Sequence, residues 1–504
     1  MRPHGHIKRV FSIALILLIS IVTGQNLRAF SIQRDNSLAA RIQRIENGLV
    51  PNPGFVLKGQ TPRHATIFDR MRDYRVPGVS IAVINDDKIE WAKAYGLKEA
   101  GGNDPVSSET LFQAASISKS VSAAAALYYV EKGLLTLDEN VNDKLRSWKV
   151  PDNEWTKEKK VTLRGILSHS AGLTVSGFPG YVRGSPVPTL RQILEGEKPA
   201  NTAPIRVDIE IGSRFRYAGG GYTVMQQLLM DVLNKPFPEI MKETVLDRIG
   251  MTDSTYEQPL PERLLGRETA GHLMNGMAIK EKWHTYPELA AAGLWTTPTD
   301  LCRFAIEIML SEQGKSNKVL SKTMVGQMLT LQKGDFGLGL VLRGTKKEFH
   351  FTHSGGNAGF RCIFLAFPER GQGAAVMTNG DPGSDLFMEI LRSLGLEYGW
   401  SFYDPKVKIP AEIRPKKLNA LAGTYQFTPA SQITIIMDKD GLVAESLYAV
   451  PTGWTKCELY PQSEAEFFNL KTEDIITFIR DPAGNVTGLM VKRGPQERKA
   501  AKIK

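Results

Sequence analysis

The sequence predicts an α/β (α+β) chain in which one antiparallel sheet is flanked by helices and followed by a smaller all-β domain. Two observations carry this. First, β-rich runs lie at both ends of a region of about 330 residues, too long a span for one local motif, with mostly helical sequence between them. One sheet must therefore be assembled from distant pieces and covered by helices. Second, from Leu418 the chain changes to short alternating runs such as "AGTYQF", "QITIIM" and "DIITFIR", separated by turn residues. With 504 residues, 42% of them hydrophobic and 23% charged, the chain has the balance of an ordinary globular protein.

Taken in order, the N-terminus carries Arg2, Lys8 and Arg9 ahead of the 13-residue apolar run Val10 to Val22. That run is shorter than the roughly 20 residues a membrane span needs, and its basic flank makes it an export signal over residues 1–24. Left uncleaved, it would act as a membrane anchor. Residues 25–60 form a polar lead-in. "PGVSIAVINDDKIEWAKAYG", Pro77 to Gly96, is a β-hairpin turning at Asn85, Asp86 and Asp87. Ser116 to about Leu135 is helical by composition, with Gly133 marking its end. The helical middle is punctuated at "SGFPGYVRGSPVP" and "RYAGGGY". Then "FHFTHSGG", "GFRCIFLAF" and "GAAVMTNG" read as neighbouring antiparallel strands, and Ser384 to Leu394 as a closing helix. These elements make a domain over residues 61–400. A proline- and lysine-rich linker follows at 401–417, and residues 418–504 form a small β sandwich or barrel with turns at Asp438 to Gly441 and Asp481 to Asn485.

Composition excludes several function classes. The net charge is +10, but 63 basic residues are interleaved with 53 acidic ones and no basic run occurs, which argues against a nucleic-acid partner. Cys302, Cys362 and Cys457 are odd in number and far apart, so they read as small buried groups rather than disulfides or zinc ligands. The eight histidines show no His-Glu-x-x-His pattern, and no metal or cofactor is expected.

Three short stretches could carry chemistry. Ser116-Ile117-Ser118-Lys119 places a hydroxyl and an amine on one helix face. At the start of a helix such a serine meets the positive end of the dipole, and it can also be a simple cap. For Lys119 to act as a base its pKa must fall by about three units, roughly 4 kcal/mol. Alternatively it stays charged and stabilises a tyrosinate. A tyrosine is available at Tyr217, ahead of Gly219, Gly220 and Gly221, which permit a close backbone approach or a tight turn. The third stretch is His353-Ser354-Gly355-Gly356, on or just past a β run. At its ordinary pKa, His353 would be about a quarter protonated at pH 7.

In this chain order the three stretches resemble the serine β-lactamase and penicillin-binding-protein superfamily. The closest branch is that of class C β-lactamases, D-alanyl-D-alanine carboxypeptidases, D-aminopeptidases and related esterases. "PGVSIAVI", "LRGILSHSAGL", "AAGLWTTPTDLCRF" and "FGLGL" look like further blocks of that family, over about Ile67 to Leu396. The resemblance implies a β-lactamase/transpeptidase-like fold and an acyl-enzyme formed on Ser116, with Lys119 and Tyr217 as a coupled proton-transfer pair. It implies an oxyanion hole from the N–H groups of Ser116 and Gly356. His353, Ser354, Gly355 and Gly219 would line the substrate side. The C-terminal piece is similar to lipocalin-like β domains appended to such hydrolases.

Two departures stand out. Gly219 occupies the place where the family's second motif carries an asparagine amide, and His353 the place where true β-lactamases carry a lysine. Both favour an esterase or peptidase over a dedicated β-lactamase. The expected protein is thus an exported, periplasmic or secreted, serine hydrolase acting on an ester, amide or D-amino-acid peptide. The alternative is a non-catalytic or slowly deacylating sensor that binds peptidoglycan fragments or β-lactams on the same fold. No Gly-x-Ser-x-Gly occurs, which removes the handle of an α/β-hydrolase.

Overall fold

The computed structural model describes residues 35–51, 55–429, 431–439, 441–446, 456–470, 472, 474–493 and 496–504. The expected export signal, residues 1–24, lies outside them. The chain divides into two units, residues 1–44 and 45–504. The described part of the first, residues 35–44, holds the first seven residues of helix α1 (Leu38–Asn47). Everything below concerns the second.

Residues with alternating or continuous apolar runs form a six-stranded sheet from two distant parts of the chain. The first part is a hairpin of β1 (Gly78–Asn85) and β2 (Lys88–Gly96). Its two-residue turn needs positive φ at both positions, which Asp86 (53°) and Asp87 (57°) adopt. The second part is β3 (Val341–Arg343), β4 (His350–Asn357), β5 (Phe360–Phe367) and β6 (Gln372–Thr378). Spatial order is β2-β1-β6-β5-β4-β3, with every neighbouring pair antiparallel. Gly78 to Ile84 are all buried, so β1 has cover on both faces. Helix α7 (Pro298–Glu312) packs on β1, β5 and β6, and α8 (Gly383–Tyr398) packs on β5, β6 and α2 (Ile67–Tyr74). The α2 to α8 contact is tied by Glu389, whose buried carboxylate accepts from Arg70 Nε (2.7 Å) and from the Tyr74 hydroxyl (2.5 Å).

The chain between the two parts of the sheet folds into a helical layer. Its centre is α3 (Ser118–Glu131), which is buried from Ser118 to Leu127 because the run Ala123 to Ala126 has no bulk to keep neighbours away. Around it sit α4 (Leu163–Leu167), α5 (Gly219–Leu233) and α6 (Leu289–Ala292). The glycine run opens α5 rather than forming a loop ahead of it. A Cβ at Gly220 would come within 2.5 Å of the Thr174 carbonyl oxygen, so only glycine lets the helix start that close to residues 174–178.

The stretch read as a linker is partly ordered by pairing: Lys406–Lys408 forms a two-stranded parallel ladder with Phe55–Leu57. Beyond it, eight antiparallel strands close into a barrel in strict chain order, from Gly423–Thr428 to Gln496–Lys502. The choice left open between sandwich and barrel is therefore settled by the pairing of the first strand with the last. Tyr425, Ile433, Phe467, Ile476 and Leu489 fill its interior. All three cysteines are buried.

Candidate active site

Ser116 sits in a single 3-10 turn, Ala115–Ile117, that leads into α3. The helix proper begins two residues later than the serine, and Ser116 does not cap it. Two bonds hold the turn. The Ala114 N–H donates to the Leu294 carbonyl (2.9 Å), and the Ser118 hydroxyl donates to the Ala115 carbonyl (2.5 Å). Ala115 is forced to φ 48°, a left-handed conformation that an alanine adopts only when its surroundings impose it. The result is selective exposure. From Leu111 to Leu127 every residue is buried except Ser116, which is half-buried.

One turn along, Lys119 is 2% exposed, and its Nζ donates to Ser116 Oγ (3.0 Å) and to the Ala291 carbonyl (2.7 Å). No carboxylate offsets the lost hydration, so burial brings its pKa down from 10.5 to about 7. That is the drop of about three units a base here requires. Tyr217 lies beside it, its ring centroid 5.2 Å from Nζ. Burial pushes the Tyr217 phenol up to about 12, opposed by a hydrogen bond with Ser116.

The opposite wall is the end of β4. Gly355 must be glycine, because a Cβ there would lie 2.1 Å from the Ala114 carbonyl oxygen. This contact is how the strand reaches the Ser116 turn. β4 and β5 are joined by a two-residue turn at Ala358 and Gly359, with Asn357 opposite Phe360 and Gly356 opposite Arg361. Antiparallel pairs alternate between bonded and non-bonded, so the N–H of Gly356 falls outside the ladder to β5. Asn357 anchors the strand end, donating from Nδ2 to Gln113 Oε1 (2.8 Å) and to the Ala292 carbonyl (3.2 Å). The walls enclose a cleft of about 440 Å³ lined by Ser116, Tyr217, Phe336, Val341, His353, Ser354, Gly355, Gly356, Arg361, Ser384 and Phe387.

Residues 64–396 match the family model described as Beta-lactamase. The chain belongs to the beta-lactamase family. Among similar proteins, "Penicillin-binding protein 4" of Amycolatopsis lactamdurans is 24% identical over 379 residues, covering 71% of this chain and 96% of the relative. "D-alanyl-D-alanine-carboxypeptidase/endopeptidase AmpH" of Escherichia coli (strain K12) is 23% identical over 346 residues, covering 63% of this chain and 84% of the relative. The solved structure of the octameric penicillin-binding protein homologue from Pyrococcus abyssi superimposes with a TM-score of 0.59 at 22% identity, over 86% of this chain and 98% of that one. At that identity the likeness speaks for the fold.

In this beta-lactamase-family chain the structure brings together Ser116, Lys119, Tyr217, His353, Ser354, Gly355 and Gly356, and corrects the expectation for Gly219. Gly219 does not line the cleft. It is buried in the first turn of α5, its N–H donates to the Ser176 carbonyl (3.3 Å), and a Cβ there would press on the Phe178 ring at 2.9 Å. His353 is not a cation near neutrality. It is 4% exposed, and burial with the nearby Lys119 lowers its pKa from 6.5 to about 4. Its Nδ1 lies 2.7 Å from the Ser354 carbonyl, which can only accept, so the proton sits on Nδ1 and the unpartnered Nε2 is an acceptor.

Sequence reasoning missed Arg361, Ser384, Phe387, Phe336 and Val341 as lining residues. Arg361 was within reach: once the "NAGF" turn is drawn as a two-residue hairpin, it is the residue facing Gly356. Its charge is committed, since Nη2 pairs with Asp381 (2.9 Å) and Nη1 donates to the Asn357 and Phe360 carbonyls (2.6 and 2.7 Å). Ser384 and Phe387 come from α8, far along the chain, and nothing local marks them.

Proposed function

We propose that this beta-lactamase-family serine hydrolase works through an acyl-enzyme on Ser116. The observation that carries the reading is the 3.0 Å contact of Lys119 Nζ with Ser116 Oγ at the one place where this buried segment opens to a cleft. With Lys119 neutral and Tyr217 beside it, the pair takes the Ser116 proton as Oγ attacks an acyl carbon. The N–H groups of Ser116 and Gly356 receive the oxyanion, a contribution of roughly 3 kcal/mol. The tetrahedral intermediate expels its alcohol or amine, which leaves with the proton, and water then cleaves the Ser116 ester by the reverse route. Because the two groups are coupled, the base is the pair rather than either residue alone.

The substrate class follows from the wall opposite Tyr217. A neutral, almost fully buried His353 and an Arg361 already paired offer a substrate carboxylate no free cation at this wall, which favours an ester, amide or D-amino-acid peptide whose group at this end is uncharged. This supports an esterase, or a peptidase that does not read a terminal carboxylate, over a carboxypeptidase or a dedicated β-lactamase. Export is proposed on the basic and apolar N-terminal run. The chain-order closure of the C-terminal barrel supports its reading as a lipocalin-like domain.

The test is turnover of a panel of chromogenic esters, D-alanyl peptides and β-lactams by the wild type and by Ser116→Ala, with intact-mass spectrometry of the reaction. We expect a Ser116 adduct that clears with time, and loss of turnover in S116A by at least about a thousandfold. An S116A enzyme at the wild-type rate would remove the proposal. A permanent adduct without product would assign the sensor role instead.

A further inference from the structure

We infer that His169 is a positioning residue for Tyr217, clamping the backbone on both sides of it while stacking on its ring. This rests on the acyl-Ser116 reading for its functional meaning, but the geometry is independent of it. His169 follows the short helix α4, beyond its C-cap Ser168, in the left-handed position (φ 57°) that glycine usually fills. A histidine there violates the local preference, and the structure shows what it does instead. Its carbonyl accepts the N–H of Arg216 (2.8 Å), and its Nδ1 accepts the N–H of Ala218 (3.1 Å). Tyr217 is the residue between them. The His169 ring lies on the Tyr217 ring with centroids 4.2 Å apart at 32°, backed edge-on by Phe336 at 4.9 Å.

The clamp fixes the tautomer. A backbone N–H can only donate, so Nδ1 must be unprotonated and the ring proton must sit on Nε2, which is buried without a partner. This is the opposite of His353, whose Nδ1 carries the proton. A core histidine kept only for packing would have no reason to leave a donor orphaned while spending its acceptor on one particular backbone amide. Held this way, the Tyr217 ring stays beside Lys119 Nζ.

Two measurements test the clamp, one of them independent of activity. In protein labelled with 15N histidine, long-range 1H–15N spectra, assigned by the signals lost in His169→Asn, should show His169 as the Nε2–H tautomer; an Nδ1–H tautomer would overturn the proposal. Kinetically, His169→Ala should lower kcat on a chromogenic ester about ten- to a hundredfold with KM within about threefold, the signature of a misplaced group rather than lost binding. His169→Asn puts Oδ1 where Nδ1 lay and tolerates the left-handed backbone, and should recover kcat to within about fivefold of wild type. H169A at the wild-type kcat, or H169N as impaired as H169A while melting at the wild-type temperature, would also overturn it. S116A is run alongside: if it stays active the acyl-enzyme reading fails, while the tautomer still decides the clamp.

Discussion

Lys119 carries a large electrostatic cost beside the cleft, and in the proposed mechanism that cost is what makes it useful. A folded-state pKa of about 7 against 10.5 for the free side chain corresponds to about 5 kcal/mol of disfavoured charge. Lys119→Met should therefore abolish turnover and raise stability by about 2–4 kcal/mol at pH 6, after allowing for the lost hydrogen bonds, as read by chemical denaturation. Because the pair must hold a neutral amine to accept the serine proton, wild-type kcat/KM should fall about tenfold per pH unit below about 7. A profile flat from pH 8 to pH 5 would mean that Lys119 does not titrate in the working range. Of the cleft's residues, Ser116, Lys119, Tyr217 and His353 were all legible from short patterns, since their chemistry demands fixed residue types at fixed spacing. The charge state of His353 was not, because it depends on burial that no local pattern reveals.

At the scale of elements, the site is the meeting of a helix start with a strand end, and glycines set the distance. The Ser116 turn and β4 touch through Gly355 and Ala114, so Gly355→Ala must push them apart or distort one of them. We expect a loss of roughly a hundredfold in kcat/KM and of about 1–3 kcal/mol in stability, measured on the same preparation. Glycine at position 220 plays the corresponding part for α5, whose first turn leans on the Thr174 carbonyl. The hairpin at 78–96, the run of strands from 350 to 378 and the closing helix followed from periodicity and turn residues. The start of α3 was misplaced by two residues, because Ala115 and Ser116 are held in a 3-10 turn by Leu294 and Ser118 rather than by their own propensities.

Over the whole molecule, two buried charges oppose each other in pH. Glu288, at the entry to α6, is fully buried, and both carboxyl oxygens lack partners beyond the residue's own backbone. Burial raises its pKa from 4.5 to about 8. Below pH 4.5 it is neutral folded or unfolded; from there to about 8 the folded state holds a proton that the unfolded state has released, so stability falls as pH rises. Lys119 works the other way: its penalty is full below about 7 and is relieved as pH rises to 10.5. Together they place a stability trough near pH 7 to 8. Melting curves from pH 4 to 9 should show Glu288→Gln gaining most at pH 8 and above and nothing near 4.5; an equal gain at every pH would refute this. None of the described cleft-lining residues comes from the barrel. Deleting residues 418–504 should accordingly leave kcat/KM on a small ester within about threefold of the full chain.

Residue types and their spacing pointed to the family, to the candidate nucleophile and its proposed partners, and to the order of strands and helices, because acyl-transfer chemistry and backbone periodicity are both local in sequence. Tertiary structure alone decided that Gly219 packs rather than binds, that His353 is neutral, that Arg361 is already paired, and that His169 grips the backbone around Tyr217. Each of those outcomes depends on which groups from remote segments exclude water or supply a partner, and solvation and pairing are properties of the folded interior, not of the chain.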